Sequence, residues 1–428
     1  MSSHPTALNL SFVTLVGWAL FLGVLTGRAE LMLVAVPLVV VLAAGRRAKA
    51  PPTEAWQISR QVAAERLVEG ERVTVTVTLR AREPLALVEL LQPLPPHVWP
   101  ARGSHHAFFS LGPGEEVCWT FELACAGRQQ LRLADLHLRL WEPLGLGAAE
   151  TRHQEPRAEV AVYPHVTPFR RPPRPRRTQA FVGNHVSPAQ SEGLEPGDIR
   201  PFAPGDQIRH VNWRATLRLG VLHVTQHHQE RNAAVVLLLD TLADLGPAGN
   251  STLDRAVRGA ASLAAAYLTR RDRVGLIEYG GILRQVRPRA GRAQWERLLD
   301  TLARASVVFT YVARDLEMIP PRVLPPQALV IALSPLLDGR FVKAATDLAA
   351  RGFDLVLVAV SPVAAGRALL RGGGPVADVA ARLWALERRA YLDELRRAGL
   401  TVVDWDGVVP LEAALAGWHR PRLRGARA

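Results

Sequence analysis

The sequence predicts a doubly wound α/β domain preceded by a small antiparallel β-sandwich and an N-terminal two-helix membrane hairpin. Three observations predict it. Two apolar runs open the chain, Leu8 to Thr26 and Leu31 to Gly45. Residues from about 56 to 163 then alternate apolar and polar side chains in short runs between turns, the period of half-buried strands. From Ala233 onward, continuous apolar runs of strand length take turns with stretches of helical periodicity. A chain of 428 residues has room for two or three folded units, and 48% hydrophobic with 21% charged residues excludes a disordered or collagen-like polymer.

The first apolar run is uncharged and long enough to cross hydrocarbon as a helix. The second is short, carries Pro37, and is expected to tilt little, thin the bilayer or stop part-way. A signal peptide fits less well, because no Lys or Arg precedes the first run and no small-x-small cleavage site precedes the Arg28–Glu30 turn. Arg46, Arg47 and Lys49 follow the second run and are expected to stay cytoplasmic, placing the rest of the chain on the cytoplasmic face of the membrane.

In the β-rich region, Arg72–Arg80, Glu116–Ala124 and Gln130–Leu140 read as strands, with Leu111-Gly112-Pro113-Gly114 as a turn. Cys118 and Cys125 are too few for a disulfide framework and read as two buried, reduced thiols. His105 and His106 read as solvated loop residues. Arg170–Arg177 (RRPPRPRR) cannot form a helix or a core and reads as an extended, solvated linker.

The α/β pattern starts with the strand Ala233–Asp240 and the helix Thr252–Thr269. It continues with Arg273–Tyr279 as strand, Ala293–Ala303 as helix, Ala328–Ser334 as strand and Phe341–Ala350 as helix. Leu355–Ser361 as strand, Val376–Arg397 as helix and Thr401–Val403 as strand complete it. Ligands of such a sheet sit beyond the carboxyl ends of its strands, here near Asp240 and Ser334.

The most distinctive segment lies just ahead of the first of these strands, from Ile199 to Thr216 (IRPFAPGDQIRHVNWRAT). Pro204-Gly205 makes a tight turn, Asp206 can cap a following short helix, and Arg209 and Trp213 would share one face of it. With Arg200 and Arg214 nearby, cation–π stacking and carboxylate pairing would make this a clasp that seats the linker on the α/β domain.

This segment resembles the signature of the bacterial and archaeal family called domain of unknown function 58. The positions that carry the resemblance are Arg200, Phe202, Pro204, Gly205, Asp206, Arg209, Val211, Asn212, Trp213, Arg214, Ala215 and Thr216, continuing through Leu222, Val224, Glu230 and Arg231 into Val235–Asp240. The resemblance implies a membrane hairpin, here 1–50, and a β-sandwich-like domain, here 51–165, ahead of the signature over 199–232, with the Pro/Arg-rich linker read from composition over 166–198. It further implies a von Willebrand factor type A-like domain, here 233–418; the arginines after it read as a basic tail over 419–428. It also implies association with MoxR-type AAA+ ATPases, in which the type A domain acts as an adaptor, and it implies no established activity.

A type A domain that binds Mg²⁺ supplies Asp-x-Ser-x-Ser at the end of its first strand, with a Thr and an Asp from later loops. Here Asp240 is in place, but Leu242 cannot ligate, Asp244 stands at the second serine position, and Ser334 follows the later strand where an aspartate is expected. Thr310 could supply the loop hydroxyl. The expectation is a degenerate site and no cofactor, with Mg²⁺ at Asp240, Asp244 and Thr310 as the alternative. An aspartyl-phosphate enzyme needs an acidic residue where Leu242 stands. His223, His227 and His228 lie on a strand that splits neighbours between two faces, against zinc. No nucleophile elbow or phosphate-binding Gly-Lys-Ser/Thr loop is present, and Gly372–Gly374 lacks a following Lys or Ser/Thr.

The expected function is therefore a non-enzymatic adaptor at the membrane, and the rival is a metal-dependent hydrolase acting on cell-envelope material. The formal net charge of +13 first suggests nucleic acid. Its arginines, however, gather beside the hairpin, in the linker and at Arg420, Arg422, Arg424 and Arg427, places suited to an anionic inner leaflet, with no nucleic-acid module among them.

Overall fold

A computed structural model gives the structure of the protein and describes residues 2–47, 55–142, 144–153, 159–173, 195–203, 208, 211–228, 234–308, 319–320, 324–326, 328–369 and 374–416. The chain divides into two compact units, Met1–Val162 and Tyr163–Ala428.

The first unit opens with strand β1 (Ser2–Pro5) and the helices α1 (Ala7–Thr26) and α2 (Ala29–Arg47). Thr6 caps α1 by accepting from the Asn9 N–H, and Gly27, at φ 64°, ends it in the left-handed region that lets the chain reverse at once into α2. α1 is long and apolar enough to cross a membrane; the apolar part of α2, Ala29–Gly45, is shorter. Eleven strands follow in order: β2 (Trp56–Val62), β3 (Arg66–Val68), β4 (Arg72–Ala81), β5 (Leu85–Leu91), β6 (Val98–Arg102), β7 (His106–Leu111), β8 (Glu116–Cys125), β9 (Gln129–Arg132), β10 (Leu136–Trp141), β11 (Gly147–His153) and β12 (Glu159–Tyr163). They form antiparallel sheets of order β1-β11-β10-β5-β7 and β2-β4-β8-β6, with a smaller sheet β3-β12-β9. Val73, Val75, Val77 and Leu79 of β4 share one core with Val88 and Leu90 of β5 and with Leu136, Leu138 and Leu140 of β10. The alternating pattern produces this directly, since every second residue faces inward.

The sequence run Gln130–Leu140 is two strands, not one. Leu131 and Leu133 are buried at odd positions, whereas Leu136, Leu138 and Leu140 are buried at even positions. The change of parity across Ala134-Asp135 moves the chain from one sheet to another. The cysteines also differ from expectation: Cys118 is exposed and Cys125 half-buried. Seven residues apart on β8 they point to opposite faces, roughly 23 Å from each other, and cannot bond together. His106 is not a solvated loop residue either; it lies on β7 with Nε2 2.9 Å from Glu89 Oε1.

The second unit contains β13 (Glu195–Pro201), α3 (Trp213–Leu219), β14 (His223–His228), β15 (Ala234–Thr241), α4 (Thr252–Thr269), β16 (Arg273–Gly280), β17 (Arg284–Arg289) and α5 (Arg292–Arg304). β18 (Leu329–Ser334), α6 (Gly339–Ala350), β19 (Asp354–Val360), α7 (Val363–Leu369), α8 (Pro375–Arg397), β20 (Thr401–Trp405) and α9 (Leu411–Ala416) complete it. Its main sheet has the order β17-β16-β15-β18-β19-β20. All neighbours in it are parallel except the edge strand β17, which pairs antiparallel with β16. Val235, Leu237 and Leu239 of β15 face a core built with α4, α5 and α9. Val236 and Leu238 face the opposite core, built with α6 and α8. This burial on both faces explains the unbroken apolar run at the sequence level.

α4 begins with a capping box in which Ser251 and Asp254 satisfy each other's backbone N–H groups. Residues 163–173 run along this unit: Tyr163 Oη donates to Asp300 Oδ1 at 2.6 Å, the Thr167 N–H to Ser262 Oγ at 2.9 Å, and the Arg170 and Arg171 N–H groups to Glu412 Oε1. Tyr267 Oη, buried in α4, donates to the Pro173 carbonyl. The start of the Pro/Arg stretch is thus held in place, and Arg174–Arg177 lie outside the described residues.

α4 lies close against the sheet and α9 at Gly259, where a Cβ would stand 3.0 Å from Leu411, 3.1 Å from Leu333 and 3.3 Å from Trp405 side-chain atoms. Gly259→Val is expected to destabilise the second unit by about 1–3 kcal/mol through overpacking, despite a better helix propensity. Urea denaturation followed by tryptophan fluorescence checks this; an unchanged midpoint would show that α4 can shift without cost.

Candidate functional site

β15 is the point at which the sheet order reverses, with one parallel neighbour on each side, so a crevice opens beyond its carboxyl end. Asp240 lies there, 1% exposed. Its Oδ2 accepts from Ser334 Oγ of β18 at 2.5 Å, and its Oδ1 accepts from the Leu242 N–H at 2.9 Å. Ser334 Oγ also accepts from the Leu336 N–H at 2.9 Å. This bond holds Leu336 at φ 58°, a left-handed conformation that costs a non-glycine residue energy and marks a backbone over-determined by its surroundings. Gly280, ending β16, passes so close to Thr241 that an added Cβ would meet its Oγ1 at 2.1 Å, which leaves room for no other residue there.

The rim of the crevice is charged. Asp338 caps α6 through the Arg340 N–H at 2.9 Å and pairs with the Arg340 guanidinium at 2.7 Å. Arg388, which the sequence reading missed, reaches in from α8, 8% exposed, and donates from Nη1 to the Pro335 carbonyl at 3.0 Å. Its Nη2 lies 3.6 Å from Asp404. The sequence signal for it was one arginine within the inward stripe Trp384, Ala385, Leu392, Leu395. Burial pulls its pKa down, partly offset by Asp404.

Asp244 follows four residues after Asp240 and faces the start of α4. Its Oδ1 accepts from Thr252 Oγ1 at 3.0 Å and from the Leu253 N–H at 2.9 Å, so it serves the first turn of α4. Thr310 lies outside the described residues. Among those residues, no group of three or more His, Cys, Asp or Glu side chains is arranged to hold a metal ion.

The signature residues are only partly brought together. β13 and β14 form an antiparallel hairpin, with Arg200 opposite Val224. The Phe202 N–H donates to the Leu222 carbonyl at 2.8 Å, and Arg200 Nη1 to the Pro201 carbonyl at 3.0 Å. The short helix starts at Trp213, with Asn212 as its cap accepting from the Ala215 N–H at 3.0 Å. The expected face shared by Arg209 and Trp213 falls outside the described residues at Arg209. Trp213 and Arg214 are both exposed. Pro204, Gly205, Asp206 and Arg209 lie outside the described residues, as do the side chains of His227 and His228.

A separate groove of about 630 Å³ on the first unit is lined by Glu89, His137, Arg139, Glu150 and Arg152. Its charges answer one another: Arg139 pairs with Glu150 and, at 3.5 Å, with Glu89, which also holds His106.

Desolvation raises the Asp240 pKa to about 7, against the opposing hydrogen bonds from Ser334 and Leu242. Between the ordinary aspartate value and about 7, the native state keeps a proton that the unfolded chain has released, so this group's contribution to stability falls as pH rises through that window and then levels. Asp240→Asn cannot ionise. Its stability relative to wild type is expected to rise by up to a few kcal/mol, an order-of-magnitude figure, from about pH 4 to about pH 8. Denaturant midpoints across that range measure it, and a pH-independent difference would remove the assignment.

Residues 198–364 match the family described as Protein of unknown function DUF58. An uncharacterized protein of Mycobacterium tuberculosis (strain ATCC 25618 / H37Rv) is 33% identical over 124 residues, 28% of this chain and 39% of that protein. The uncharacterized protein YeaD of Bacillus subtilis (strain 168) is 24% identical over 198 residues, 44% of this chain and 48% of that protein. The chain thus spans about two-fifths to one-half of the length of these relatives. Among solved structures, the cupredoxin domain of amoB from Nitrosocaldus yellowstonii is 12% identical over 26% of this chain and 88% of that chain, with a TM-score of 0.19, a likeness too slight to carry an argument. Over β14, α3 and the strands β15 to β19 of the α/β sheet, the chain is thus similar to the DUF58 family of proteins of unknown function.

Proposed function

We propose that this protein is a membrane-anchored, non-enzymatic adaptor, whose α/β domain is von Willebrand factor type A-like and docks a MoxR-type AAA+ ATPase or its client. The fold part rests on the strand order, in which five parallel strands reverse direction of growth at β15 and end in the antiparallel edge β17. The observation that carries the functional part is the use of the acidic oxygens at the crevice. Both Asp240 oxygens accept hydrogen bonds from Ser334 and Leu242, and Asp244 Oδ1 is committed to α4. That commitment to neighbouring protein groups supports reading the crevice as a polar surface ringed by Asp338, Arg340 and the exposed Leu337. In this reading α2 follows α1 across the bilayer, and the basic residues after it hold both units on the cytoplasmic side.

Two experiments test the proposal. In a detergent-solubilised pull-down from the native host, mass spectrometry is expected to identify an AAA+ ATPase with the wild-type chain. Leu337→Asp combined with Arg340→Glu is expected to lower its recovery about tenfold or more. Failure to find an ATPase, or equal recovery with the variant, refutes docking at this surface. A green fluorescent reporter fused after Ala428 is expected to fluoresce and an alkaline phosphatase fusion to be inactive; the reverse pattern refutes the sidedness.

A further inference from the structure

Helix α8 is apolar on two opposite faces. Its inner face serves the domain: Arg388, Leu392 and Leu395 are buried, and Trp384 packs against Gly366 of α7. Arg367 of α7 pairs with Asp378 at 2.6 Å. A helix with one face so occupied ordinarily presents charge on the other. Instead, Val376, Val379, Leu383 and Leu386 stand 56–82% exposed, and Ala390 continues their row, also exposed. They follow one another at intervals of three, four, three and four residues. At about 100° per residue they fall within an arc of about 80°, on the side opposite Arg388 and Leu392. That is the a/d spacing of a coiled-coil seam, with Val376, Leu383 and Ala390 at a and Val379 and Leu386 at d.

The flanks state what the seam fits. Arg382 and Arg389 occupy the g positions on one border, and Glu387 and Glu394 the e positions on the other. All four are exposed, and none forms an ion pair among the described residues. In a parallel pair of identical helices each g residue meets the e residue five places on in the other copy. Arg382 then meets Glu387 of a second copy and Arg389 meets its Glu394, and the two-fold axis repeats both pairs. An antiparallel pair would set arginine against arginine and glutamate against glutamate. We infer that α8 is a self-association helix through which two copies of this chain pair in parallel, in register, about a two-fold axis along the seam. The seam is only two heptads long, short of the roughly 2,000 Å² or more that permanent interfaces bury, so the pairing is concentration-dependent.

The test is a charge exchange in the full-length chain, in detergent, with two differently tagged copies. One variant carries Arg382→Glu and Arg389→Glu, the other Glu387→Arg and Glu394→Arg; circular dichroism checks that both keep the wild-type fold. Wild type is expected to co-purify across tags and to sediment as a dimer. Each variant alone is expected to lose self-association at least about tenfold, and the two variants mixed are expected to regain it. Self-association unaffected by the substitutions, as contact through the membrane helices would give, overturns the proposal. So does a monomeric wild type, or a mixture that does not recover. Binding to anionic vesicles lost with the glutamate variant and kept with the arginine variant, without recovery on mixing, would assign the stripe to lipid instead.

Discussion

The second unit depends on one constraint, that β15 is buried on both faces. Residues 235–241 of this strand are all buried, and a strand in that position can place polar atoms only at its ends, where the layers of helices part. Asp240 is the first polar side chain that β15 offers, and it appears at the carboxyl end, between the two cores. The same constraint dictates α4. A long helix rich in alanine, with Gly259 close against the sheet, covers one face tightly enough for Leu333, Leu411 and Trp405 to meet over it.

Asp240 then acts as a cross-brace. Its bond to Ser334 joins the ends of β15 and β18, and Ser334 passes the constraint on to the turn that bends through Leu336. Arg388 secures the same turn from the side of α8. The crevice is thus assembled from three elements distant in sequence, tied together by these hydrogen bonds. A neutral Asp240 would tolerate this burial far better than a charged one, which is why the carboxyl titrates near neutrality.

Much of this was legible because burial in the second unit leaves a pattern that needs no partner to interpret: AAVVLLLD and the 3.6 period of Thr252–Thr269. α4 is found with the predicted ends. The misses have physical causes. β17 (RQVRPR) lies at an edge, where one side needs no apolar partner, so it carries little strand signal. The break between β9 and β10 was written in the parity of the leucines and was overlooked because the alternation looked continuous. Spacing alone could not reveal that Asp244 Oδ1 also serves the start of α4. Arg388 hides in a helix full of arginines, and only its place on the inward stripe sets it apart. Cys118 looked buried by residue type, whereas strand parity turns it to solvent.

The composition of β17 has a further effect. A six-stranded sheet with an open margin is a template on which another chain could add a strand. At this margin the outermost strand carries Arg284, Arg287 and Arg289, and Pro288 lacks an N–H to offer. An incoming strand would have to sit among like charges and would find a gap in the row of donors. The sheet is thereby closed to fibrous growth without being closed in space, so two copies can come together through a helix surface and remain a discrete assembly.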